Sequence, residues 1–360
     1  SMTEIDDALA NVAVWECRVG SWLGGRFLGL VPFTAGSITW SKSRDVMGSL
    51  ELEVPPMVDG VSWVPGNDPK HPLAKFGQEL TVDITVTDPV SGLSEDFQMG
   101  RFVIQDWEET DDVQVSAQSM MKRVEDDRFL APLSTRKNAL LAVEARRLVT
   151  ASLGVRIDPD LPARACPDMS WDESRIDSVN EVADAWPARV RESRDGTIQF
   201  LAPLPEIPTP ELRLTDGEGG TLVSAPTSDS REGIYNVVVA RGQETTTDGT
   251  PSFQAVARQT VGPLSVDGPY GVVPRFFSSP LITRQARARG SGRTMLRSSI
   301  VSAAVIKGTC APDPRFWIDV PMSIIKDKGG ADEQMVTGWC SGFTLDLLAK
   351  SDMTFEMEAA

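Results

Sequence analysis

Residues 78–119 read QELTVDITVTDPVSGLSEDFQMGRFVIQDWEETDDVQVSAQS. In the first part apolar and polar residues alternate strictly, the period of a strand with one face on a core and the other on water. Asp88 to Ser94 supplies a turn. The chain then continues as a hairpin whose tip is the acidic run Glu108, Glu109, Thr110, Asp111 and Asp112. A reading that starts here is a β reading, and the residues before it agree. The segments 12–19 (VAVWECRV), 25–33 (GRFLGLVPF), 36–44 (GSITWSKSR) and 47–56 (MGSLELEVPP) carry aromatic and β-branched residues between glycines and prolines. About seven strands in series predict a barrel or sandwich over residues 1–133, because closure removes exposed edges.

One loop interrupts these strands. Between residues 58 and 80, Pro65, Gly66, Pro69 and Pro72 exclude regular pairing and predict an ordered surface loop, in which Trp63 is a large apolar anchor.

After residue 133 the period changes. The segment 134–154 (STRKNALLAVEARRLVTASLG) predicts an amphipathic helix with Ser134 or Thr135 as its cap and Gly154 as its stop. A proline-rich connection follows, then a helix running to Trp186, a strand, a turn at Asp195-Gly196 and a second strand. Residues 134–205 are therefore expected to be a small inserted α/β domain. Its carboxylates Asp172, Glu173, Asp177, Glu181 and Asp184 read as the wet outer face of a helix.

The linker 203–214 (PLPEIPTPELRL) predicts an extended spacer. Beyond it, residues 206–360 are expected to form a second β-barrel. A β-branched strand at Tyr235 to Ala240 and a strand at 253–260 flank a polar turn, and an arm at about 262–282 is too rich in proline to be a central strand. Tyr270, Phe276 and Phe277 on this arm are expected to dock against the chain itself or a neighbouring subunit, as is Trp63. A helix at about 283–300 carries Arg284, Arg287, Arg289, Arg293 and Arg297, with Gly290 and Gly292 weakening its interior. This basic cluster reads either as a lumen-facing or partner-facing surface, or as a solvated helix face. The final segment predicts strands around a turn at Lys328-Gly329-Gly330.

Composition narrows the function. A net charge of -16 disfavours general affinity for duplex nucleic acid, which depends on cations neutralising phosphates. No apolar run approaches the ~20 residues of a membrane span, and SMTEIDDALA is not a secretory signal. Ser1-Met2 is consistent with a processing scar. Cys17, Cys166, Cys310 and Cys340 are widely spaced and read as reduced thiols, with a Cys310–Cys340 bridge as the alternative. No cofactor or metal site is expected. The acidic tip lacks the glycine and terminal glutamate of a calcium loop and reads as solvated. The single histidine, His71, has no nucleophile in a suitable context, so the chain is expected not to be an enzyme. The competing readings are a cell-wall-polysaccharide hydrolase using Asp106 and Glu108 or Asp172 and Glu173, and a glycan- or receptor-binding protein.

Taken in order, the segments 36–54 (GSITWSKSRDVMGSLELEV), 63–80 (WVPGNDPKHPLAKFGQEL), 99–117 (MGRFVIQDWEETDDVQVSA), 177–203 (DSVNEVADAWPARVRESRDGTIQFLAP), 235–242 (YNVVVARG), 266–276 (VDGPYGVVPRF) and 278–288 (SSPLITRQARA) resemble the tail-tip or baseplate hub proteins of long-tailed bacteriophages, especially minor tail proteins of phages infecting Actinobacteria. The resemblance implies two tail-tube-like β-barrels with small inserted domains. It also implies a homotrimeric ring at the distal end of the virion's tail. There the ring would meet the tube protein, the tape-measure protein and other tip proteins, and DNA would pass through it only in transit. It carries no catalytic residue.

Overall fold

The alternation that opens the reading is realised directly. Leu80, Val82, Ile84 and Val86 of strand Glu79–Thr87 are buried, and the residues between them face outward. Strands make up 43% of the chain and helices 11%, so the fold is mainly β with small α/β parts. The structure, a computed structural model, describes residues 9, 13–150, 152–226, 231, 233–243, 245–260, 262–279, 282, 285–301 and 305–360. In the helix Gln285–Val301 it describes side chains at 285, 288–293, 295 and 296. Among the described residues no helix is long and apolar enough to cross a membrane.

Among the described residues thirteen strands join in one sheet. Its first half places Val14–Leu23 beside Arg26–Leu30 and Glu79–Thr87. Ser94–Glu109, Val113–Ser119, Gly48–Val54 and Ala35–Ser41 then follow in antiparallel ladders. The second half contains Val305–Cys310, Met353–Ala359, Gln334–Asp346 and Pro321–Lys326. Leu212–Thr215 runs parallel to the last of these. Ser37 to Ser41 pair with Gly342 to Asp346, so strands from the two ends of the chain join in one ladder. A single core runs beneath both halves. At its centre Trp40 lies 4.4 Å from Trp317 and 5.6 Å from Phe102, ring centre to ring centre. Gly48 and Gly100 make room for this indole, since a Cβ at either would come within 2.8 Å of the ring.

Two smaller units are attached. The middle one has its own core, from Met121 and Val124 through Trp186 to Phe200. It packs helices Met121–Asp126, Leu141–Leu148 and Arg175–Ala185 against strands Val155–Ile157, Arg189–Glu192 and Ile198–Leu201. The helix expected over 134–154 covers only Leu141–Leu148 and has no side-chain cap. Ser134 instead pairs in a short ladder with Ser170, and the Thr135 hydroxyl donates to the Pro167 carbonyl, 3.0 Å. These polar residues satisfy a loop rather than a helix end. Ser174 does cap the next helix, accepting from the Asp177 amide, 3.3 Å.

The other unit is a three-stranded sheet of Gln254–Arg258, Val237–Gly242 and Pro274–Ser279, covered on one face by Gln285–Val301. Part of the expected arm is thus an edge strand, running parallel to Val237–Gly242 with Pro274 as its first residue. The helix also runs on through both glycines. A Cβ at Gly292 would lie 3.5 Å from that of Ala257 and 3.7 Å from that of Ala240, so small residues on both sides let the helix sit close to the sheet.

Candidate assembly surfaces

His71 ties its own loop. Its Nδ1 accepts from the Leu73 amide at 3.0 Å, and its ring meets the edge of Trp63 at 5.9 Å. Burial lowers its pKa from the ordinary value, which keeps it a neutral acceptor. Trp63 itself packs, half-buried, against the main core. Of the carboxylates weighed as an acid/base pair, Asp106 accepts from Ser116 at 2.8 Å on the outer sheet face, and Glu173 faces Arg128 at 3.4 Å where both are exposed. Among the described residues no three His, Cys, Asp or Glu side chains gather in a metal-binding group. Cys310 and Cys340 are free and buried, and strand Met353–Ala359 lies between their strands, so they are not the neighbours the bridge required.

The sheet register builds a surface instead. One line of directly opposed residues runs Asp346, Ser37, Glu51, Ser116, Asp106 across five strands. Beside it lies Glu53, Gln114, Glu108. Opposed residues share a face, so the side of the sheet away from the core is lined by carboxylates and hydroxyls. An open cleft of about 370 Å³ borders Glu51, Glu53, Asp346 and Asp352. Partial burial, and then the neighbouring Asp106, raise the pKa of Glu51, as expected where like charges crowd one face.

A second built feature is the hairpin Arg189–Glu192 to Ile198–Leu201, which fastens the middle unit to the main sheet. The expected turn is present, with Gly196 at φ +88°. Its Arg189 pairs with the nearly buried Asp319, which also holds Lys42 at 3.1 Å. Arg191 donates to the Ile318 carbonyl at 3.0 Å. Glu192 is buried at the junction and accepts from the Ser119 hydroxyl at 2.6 Å and the Met121 amide at 2.8 Å. Its backbone carbonyl accepts from the Trp317 indole at 3.1 Å. Burial pushes the Glu192 carboxyl up to about 7, against hydrogen bonds from Ser119, Met121 and Met120 that favour the charged form.

Because this folded pKa lies above the ordinary 4.5, the associated stability is fully present below about pH 4.5 and is lost as pH rises through about 7. Urea unfolding across that range should show the wild type losing on the order of 3 kcal/mol relative to Glu192→Gln. Parallel curves for the two proteins would contradict it.

Arg289 and Arg293 are exposed on the helix Gln285–Val301, Arg284 lies outside the described residues, and Arg287 and Arg297 lie on that helix with side chains outside the description. Among the expected docking aromatics, the Tyr270 hydroxyl donates to the Ile234 carbonyl at 3.1 Å under the Arg231 guanidinium, and Phe277 packs beneath the helix. Phe276 points the other way and is 61% exposed. Glu192 and its neighbour Arg194 were not singled out from sequence. Two charges just before the Asp195-Gly196 turn look like ordinary hairpin residues until the burial is seen.

Three solved structures share this fold over nearly their whole length. The tail protein from Neisseria meningitidis MC58 superposes with a TM-score of 0.64 at 11% identity, covering 95% of this chain and 96% of that one. The 43 kDa tail protein of prophage MuSo2 from Shewanella oneidensis gives 0.63 at 12%, covering 95% and 98%. Prophage tail protein gp18 from Listeria monocytogenes EGD-e gives 0.53 at 11%, covering 95% and 94%. The chain has a phage tail-protein fold. No family model matches its sequence, and none of the curated proteins compared with it does.

Proposed function

We propose that this chain is a structural tail protein of the virion, a tail-tip or baseplate hub. Three copies form a ring that joins the tail tube to the distal tip and contributes to the channel through which DNA leaves. The observation that carries this reading is the end-to-end likeness: 95% of the chain superposes on 96% of a tail protein, so the sheet and both smaller units belong to the shared architecture. The acid-lined sheet face supports it further. Carboxylates repel phosphates, so a channel wall with this chemistry lets DNA pass without adhering. The tube protein, the tape-measure protein and other tip proteins are the partners this position brings, as in the actinobacterial phage hubs the sequence resembles. Phage particles probed with an antibody to this chain should be labelled at the distal end of the tail. Absence of the chain from purified particles, or label along the head or the tube, would overturn the reading.

A further inference from the structure

The chain's charge is segregated. Nine of its 35 basic residues but only four of its 51 acidic ones fall between 231 and 301, which leaves 26 against 47 elsewhere. The segment of opposite sign is the small sheet-and-helix unit. Helix Gln285–Val301 covers one face of that sheet through Ala240, Ala255 and Ala288. By register, the opposite face carries Val237, Val239, Arg241, Val256, Arg258 and Phe276, of which Val237 and Val239 on the central strand are buried. Val256 is 44% exposed and Phe276 61% exposed, and Arg258 is exposed beside them. The Arg241 guanidinium lies 4.8 Å over the Phe276 ring, and its Nε is buried without a hydrogen-bond acceptor among the described residues. An apolar strip rimmed by arginines, with one donor left unanswered, is the composition of a protein contact rather than of a solvated face.

We propose that the exposed part of this face, at Val256, Arg258 and Phe276, docks on an acid-rich surface of a second copy of the same chain. The inference rests on the ring reading above and names one of its subunit contacts. Charge complementarity picks the occupant, because each copy offers one basic unit and a strongly acidic remainder, and a head-to-tail contact of that kind is the one that builds a ring when its rotation closes. The apolar centre gives the contact its buried area and the arginines its orientation.

The test uses a photo-reactive p-benzoylphenylalanine at position 256, in chain supplied during tail assembly so that it is built into particles. Illumination should give a covalent dimer of this chain, with the linked peptide lying outside residues 231–301. The double variant Val256→Asp, Arg258→Glu, at two exposed positions, should enter particles about tenfold less well while its circular dichroism and melting as a purified chain stay unchanged. Linkage to DNA or to a different tail protein, no linkage at all, or normal incorporation of a folded double variant would overturn the contact and leave the tail reading standing. Absence of the chain from particles would sink both.

Discussion

Arg194→Ala is expected to cost about 3–5 kcal/mol and to loosen the middle unit from the main sheet before the sheet itself unfolds. The side chain inserts from the hairpin into the body. Its Nη1 donates to the carbonyls of Gln98 at 3.1 Å and Pro314 at 3.0 Å, and its Nη2 to those of Arg315 at 2.9 Å and Phe316 at 3.1 Å. The guanidinium also sits 4.8 Å over the Trp317 ring. Burial lowers its pKa to about 10, which is still high enough to keep it charged at neutral pH. Truncation removes four charge-assisted bonds, two of them to carbonyls of the buried Pro314 and Phe316, the asymmetric case in which a desolvation cost remains. Asp313 is not orphaned, since Arg315 pairs with it at 2.7 Å. Lysine offers one point charge in place of a planar fork, so Arg194→Lys should recover less than half of the loss. Denaturant unfolding gives the size, and hydrogen exchange should show protection lost first in residues 121–202. A loss under about 1 kcal/mol would contradict this account.

Trp40→Ala is the second large effect, about 3–5 kcal/mol, with a cavity at the seam between the two halves. Trp40 is 1% exposed, donates to the Met99 carbonyl at 3.3 Å and touches Phe102 from one half and Trp317 from the other. The substitution is not repaired by local collapse, because Gly48 and Gly100 provide no side chains to fill the space. Trp40→Phe keeps most of the ring volume and should lose clearly less. Thermal unfolding of the three proteins side by side measures the order.

Much of the fold could be read from local pattern. The strict alternation at 79–87 and the turn residues at 88–94 and 195–196 report geometry set by neighbours in sequence. So does the helix expected to run to Trp186, which spans Arg175–Ala185. What could not be read was set by partners distant in sequence. Nothing in 37–41 announces that it will pair with 342–346, and without that ladder the two β-modules look like separate bodies. Ser134 and Thr135 have the chemistry of helix caps, yet the residues around 167–170 reach them first. Gly292 reads as a helix breaker until the alanines opposite it show why a missing side chain is useful there. For the assembly surfaces, sequence showed the arginines and the aromatics as groups. Only the sheet register separates Phe277, which faces the helix, from Phe276, which faces out.

The central claim is that this polypeptide works as a building block of the tail. A cryo-electron microscopy reconstruction of the distal tail tests it most directly. The account predicts three copies of this chain in a ring below the tube, the Glu51 and Asp106 face of each main sheet toward the channel. A map in which this chain has no place in the tail, or lies there as a single copy away from the axis, would contradict it.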